Sequence, residues 1–270
     1  MSWVANARMY AVTADASAAW AELFAWVARK SGVDLETIQH PTSLPMTVLW
    51  TRSDLGAAFM CGRPWSRAEP KPVPIACPVP APGRYDGAPR YMTDIVVRAD
   101  SPFRTLEDTF GHRIGYTLEE SQSGFNAPRH HLLGYRSASR PVLYAESIGP
   151  LHTPRGVVAA LLSGAIDAGP LDSYAFDLMR AAPDDPAHGL RVVATTAPAP
   201  IPFLVASHSC PRQVIEALRT AFLAVEEASE LATIRDRLLL KGFCPVSESS
   251  YDLLSAWDAE ALAARYEAPR

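Results

Sequence analysis

The chain has 270 residues, 48% of them apolar and 20% charged. That composition supports a sizeable core and excludes a disordered chain, and the length suits two domains or one large α/β unit. With 25 basic and 29 acidic residues the net charge is −4. A mildly acidic chain excludes a nucleic-acid module built on a basic face, but not a pocket for a small anion.

Taken in chain order, strand-like runs alternate with helix-like runs, the pattern of an α/β protein with parallel pairing. Arg8–Thr13 reads as a first strand. Asp15 or Ser17 caps a helix whose apolar stripe is Trp20, Leu23, Phe24 and Val27, and Gly32 stops it. Leu35–His40 is a second strand, Ser43 and Pro45 open a short helix, and Leu55–Cys61 is a buried strand. The eight prolines between Pro64 and Pro89 exclude helix there, with Val73–Val79 expected as an edge strand. Tyr91–Arg98 is a longer strand, and Ser101, Pro102 and Thr105 begin a short helix.

A second β-α-β-α-β run follows: strand Arg113–Thr117, helix Ser123–Leu133, strand Val142–Glu146, a helix from Thr153 and Pro154 to Leu162, and strand Ala165–Leu171. Asp172 or Ser173 then caps a helix to Met179. Arg191–Thr196 reads as a return strand, Phe203–Ser207 re-enters the first unit, and helices Pro211–Glu226, Leu231–Leu240 and Ser249–Tyr266 close the chain. The expected organisation is therefore one lobe from residues 1–94 plus 200–270, with a second lobe, 95–199, inserted. Each lobe would be a mixed sheet flanked by helices. Closure would hinge near Asp94–Val97 and Thr195–Pro198, over a cleft between the lobes facing strand carboxyl ends, where α/β proteins bind ligands.

Cys61, Cys77, Cys210 and Cys244 lack metal-type spacing, so buried thiols are expected rather than zinc or disulfides. No apolar run is long enough to span a membrane. Met1–Tyr10 lacks a charged start followed by an apolar stretch, which reads as cytoplasmic for the chain as written, or as a secreted chain whose leader is gone. The only lysines are Lys30, Lys71 and Lys241. Base composition accounts for the arginine bias as well as carboxylate or phosphate recognition does.

Three segments carry candidate chemistry. Glu119-Glu120-Ser121-Gln122-Ser123-Gly124-Phe125 follows a strand and opens a helix, placing hydroxyls and backbone N–H groups where an oxyanion is stabilised. An ordinary cap by Ser123 explains the same pattern. Asp172 and Ser173 end a strand at another helix start, again as cap or as ligand acceptor. His152 precedes the Thr153–Pro154 helix start, either facing a ligand or hydrogen-bonded in its loop. There is no G-x-S-x-G, H-E-x-x-H, P-loop or G-x-G-x-x-G, so helix-end caps stand where an enzyme would show an acid/base set.

Ser121-Gln122-Ser123-Gly124-Phe125, followed by Pro128-Arg129 and Leu132-Leu133, resembles the signature of phosphate/phosphonate substrate-binding proteins. Gly164-Ala165-Ile166-Asp167-Ala168-Gly169 with Leu171-Asp172-Ser173 resembles a second run of that family, and Thr195–Pro202 its return segment. The resemblance implies a two-lobed type II periplasmic-binding-protein fold. It also implies a small oxyanion-bearing ligand, phosphonate- or phosphate-like, an ABC transporter permease as partner, a periplasmic location and no cofactor. Matched residue by residue, Ser121, Gln122, Ser123 and Gly124 would hold the oxyanion and Asp172 would be an acidic contact. Tyr91 would line the pocket, and Trp65 is a further aromatic candidate. Gln122 replaces a commoner small hydroxyl residue, and the loop before Thr153 is longer and carries His152 and Arg155. The expected protein is a monomeric binder, not an enzyme, and no nucleic-acid partner is expected. A same-fold enzyme of cofactor biosynthesis and a ligand-sensing domain are the rivals.

Overall fold

A computed structural model describes residues 2–270. Its contacts divide into two units, one of residues 2–90 and 200–250, the other of residues 91–199 and 251–270.

The first unit is built on a six-stranded mixed sheet. Its strand order is Leu240–Cys244, Val73–Pro80, Phe203–Ala206, Leu55–Met60, Trp3–Asn6 and Leu35–Thr37. The last three run parallel and the other contacts are antiparallel. The helix Ala14–Ser31 starts where Thr13 Oγ1 accepts the Ala16 N–H at 3.0 Å and ends at left-handed Gly32. It lays Trp20 edge-on against Phe59, ring centroids 5.0 Å apart, and Phe24 edge-on against Phe222. This aromatic cluster forms the core of the unit.

Several expectations are corrected. The first strand is Trp3–Asn6, every residue of it buried, not Arg8–Thr13. There the chain turns instead, because the Ala7 carbonyl accepts from both Tyr10 and Ala11, and Asn6 Oδ1 accepts from Arg8. Val73–Pro80 is an interior strand, not an edge. It pairs with Phe203–Ala206 through residues 73–76 and with Leu240–Cys244 through residues 77–80. Each half thus keeps an unpaired side, where prolines cost no ladder bond. Pro64 lies inside the Gly62–Arg67 helix, in the first turn, where an N–H has no intrahelical partner to lose. The helix expected at Leu231–Leu240 is shorter, Ala232–Arg237, and a strand that the sequence did not show, Leu240–Cys244, follows it.

In the second unit Thr93–Arg98 is the centre of an antiparallel sheet, flanked by Leu190–Thr195 and Gly169–Asp172. Arg113–Gly115 pairs in parallel with Glu146–Ile148, which stands in place of the expected Val142–Glu146 strand. A parallel bridge from Ile114 to Ala168 joins Arg113–Gly115 to the segment leading into Gly169–Asp172. The core packs Ile95, Val97, Ile114, Leu132 and Tyr144. The helix Asp252–Ala263 belongs to this unit, not to the first as the sequence suggested. Its Asp258 forms a buried ion pair with Arg129, the side chains 9% and 3% exposed respectively, and the Leu254 carbonyl accepts from Asn126 at 3.0 Å.

Candidate functional site

Within the second unit, three near-parallel strand segments end on one side, and each leads into a helix start. Arg113–Gly115 leads to a turn at Ser121, Glu146–Ile148 to a helix at Thr153, and Gly169–Asp172 to a helix at Ser173. Partial positive charge and N–H groups collect at such ends.

The first of these starts is a π-type turn, Gln122–Asn126, of the kind that often marks functional positions. Its cap is Ser121, whose Oγ accepts the Gly124 N–H at 3.0 Å. Ser123, expected as the cap, is not the capping residue. Because Ser121 Oγ is used as an acceptor, its own proton remains available to donate. Ser123 is held by its backbone, with its carbonyl accepting from Thr93 Oγ1 at 3.0 Å. Gly124 lies so close to Thr117 that a Cβ there would stand 1.7 Å from Thr117 Oγ1. The Thr117 N–H donates to the Gly124 carbonyl at 3.2 Å.

Gln122 is fully buried and turns into the unit. Its Oε1 accepts from Asn126 Nδ2 at 2.8 Å, and Asn126 Oδ1 accepts from Arg129. The turn is thereby tied through Arg129 to Asp258 on the last helix.

Asp172 lies beside this turn, paired in register with Thr93, the residue that holds Ser123. Its Oδ1 accepts the Tyr174 and Ala175 N–H groups, each at 3.0 Å, so it caps its own helix. Burial, then the neighbouring Asp172 and Asp177 charges, push the Tyr174 phenol well above its ordinary value. Ser173 Oγ accepts the Met92 N–H, and Tyr91, also buried, comes next before it in the chain.

The third start is capped by Thr153, which accepts the Gly156 N–H at 3.0 Å. Exposed His152 has a left-handed backbone, and its N–H donates to the Thr117 carbonyl at 3.0 Å. Thr117 therefore joins the loop of His152 to Gly124. Arg155 makes a two-pronged ion pair with Asp185. Ser121–Gly124, Asp172 and His152 are thus connected through Thr93 and Thr117, which carried no motif signal. Trp65 is in the first unit. It is buried edge-on against Phe203, and its indole N–H donates to the Pro72 carbonyl at 3.0 Å.

The fold is shared with solved binding proteins. A binding protein component of an ABC phosphonate transporter from Pseudomonas aeruginosa is 14% identical, with a TM-score of 0.80 over 98% of this chain and 88% of that one. PhnD1 from Prochlorococcus marinus, in complex with methylphosphonate, is 15% identical, with a TM-score of 0.75 over 96% and 97%. A Xanthomonas citri protein bound to ATP is 20% identical, with a TM-score of 0.65 over 97% and 98%. No curated protein matches by sequence.

The architecture is that of the two-lobed periplasmic binding proteins. Over residues 11–251 the sequence matches the family described as ABC transporter, phosphonate, periplasmic substrate-binding protein, and the chain belongs to that family. Its role is solute binding for a transporter. Among the described residues, no helix is long and apolar enough to cross a membrane.

Proposed function

We propose that this chain captures a small phosphonate-like oxyanion on the second unit, as a monomer in the periplasm, and delivers it unchanged to an ABC permease. The observation that carries the reading is the Ser121–Gly124 turn, set at a strand carboxyl end beside two other helix starts. The Ser121 and Ser123 hydroxyls and the N–H groups of the turn would donate to the oxyanion. Gly124 gives the backbone close approach, Gln122 anchors the turn from inside, and Tyr91 and His152 would flank the ligand. Asp172 would accept from a donor at the ligand's other end, such as an amine. Family membership supports the role, and the methylphosphonate bound to PhnD1 supports the ligand class.

A melting-point series tests this. A ligand that binds only the folded state adds about 2.7 kcal/mol at a hundredfold excess over Kd, a shift of several degrees for a chain of this size. Methylphosphonate and aminoalkyl phosphonates should raise the melting point, and a neutral alcohol of the same size should not. A flat response to every phosphonate, phosphate and sulfonate overturns the reading.

A further inference from the structure

Cys77 and Cys244 lie directly opposite each other on neighbouring antiparallel strands of the first unit. Both are thiols, and their side chains are hydrogen-bonded. Opposed residues of an antiparallel pair have Cα atoms about 4.5–5.5 Å apart, inside the span that disulfides bridge. Cys77 is buried on the interior strand, where its thiol also faces the Ile201 carbonyl at 3.9 Å. Cys244 ends the strand at the sheet edge and is partly exposed. One sulfur is thus open to a reagent, and the second sits behind it.

We propose that Cys77 and Cys244 form a modification site, a dithiol that small organic disulfides convert to a cross-strand disulfide. The Cys244 thiolate attacks one sulfur of the reagent, forming a mixed disulfide and releasing one thiol. Cys77 then attacks the Cys244 sulfur and releases the second thiol. Two protein thiols are oxidised, the reagent is reduced to two thiols, and the protons pass to the leaving groups. The hydrogen bond from Cys77 lowers the Cys244 thiol from its usual value, which favours Cys244 as the attacking group. Burial pushes Cys210 up to about 11, which keeps that thiol unreactive. The bond would fasten the edge strand Leu240–Cys244 to the interior of the sheet, and it would close a chain loop long enough to constrain the unfolded state strongly.

The test uses the full chain and oxidised glutathione. Mass spectrometry should find two of the four thiols lost, one cross-linked peptide joining Cys77 to Cys244, and no retained glutathione. The melting point should rise by roughly 5–10 °C and return after a dithiol reductant. C244S should keep its remaining thiols. C77A should stop at a stable mixed disulfide on Cys244, a readout that needs no cross-link. Four unreacted thiols in the wild-type chain, a cross-link through Cys61 or Cys210, or no mixed disulfide on C77A would each overturn the proposal.

Discussion

Gly124 and Thr117 pack so closely that no side chain fits between them. A Cβ on residue 124 would stand 1.7 Å from Thr117 Oγ1 and 2.7 Å from Thr117 Cβ. The contact fixes the turn on the segment that follows the strand Arg113–Gly115, and Thr117 also holds the loop of His152. Gly124→Ala should cost about 1–3 kcal/mol, the usual cost of overpacking, and should displace the turn. Urea unfolding measures this, and wild-type stability in the variant would refute the contact.

Of the two serines of the turn, Ser123 should separate binding from stability. Ser121 caps the turn and on the proposed function also donates to the oxyanion, so Ser121→Ala should lower stability by about 1 kcal/mol and weaken binding as well. Ser123 is anchored by its carbonyl, which Ser123→Ala leaves in place. That variant should unfold like wild type while losing about 1–3 kcal/mol of oxyanion affinity. Denaturation curves beside calorimetric titration distinguish the two.

Asp172 offers a different separation. Asn caps nearly as well as Asp, so Asp172→Asn should retain stability, whereas Asp172→Ala should lose about 1 kcal/mol. On the proposed function, Asp172→Asn weakens an aminoalkyl phosphonate more than methylphosphonate. Equal losses for both ligands would leave Asp172 as a cap alone.

The buried pair Arg129–Asp258 holds the last helix to the turn's own helix. Removing one partner strands a buried charge, so Asp258→Ala should cost about 3–5 kcal/mol. A loss under 1 kcal/mol by chemical unfolding would show that the pair does not anchor that helix.

Stability should also fall in acid through Asp167. The Arg113 guanidinium, 2.8 Å away, and the Arg113 backbone N–H hold its carboxyl below the ordinary aspartate value. A folded-state pKa below the unfolded one adds stability that is present above the ordinary aspartate range and is lost as pH falls through the lowered value. Asp167→Asn should flatten that acid limb in urea melts between neutral pH and pH 3. An unchanged slope would remove Asp167 from the account.

What the sequence disclosed was local. Gly32 marks the end of the first helix, and Thr153 and Asp172 mark helix starts, because each acts on its own neighbours. The family pattern disclosed the turn at residues 121–125 in the same way. What stayed hidden depends on distant partners. The position of Val73–Pro80 inside the sheet rests on two strands more than 120 residues away. The last helix follows the second unit because Asp258 meets Arg129, 129 positions earlier. Ser121 rather than Ser123 caps the turn because Thr117 and Thr93 set its backbone, and neither residue belongs to a motif.

Calorimetric titration of methylphosphonate into the wild-type chain and into the Ser121→Ala/Ser123→Ala double variant is the most direct test of oxyanion binding at this turn. The account predicts saturable binding of one equivalent by the wild-type chain and at least a tenfold weaker affinity in a folded double variant, the loss of about 1.4 kcal/mol or more. No saturable heat in the wild-type chain, or equal affinity in the two proteins, would contradict it.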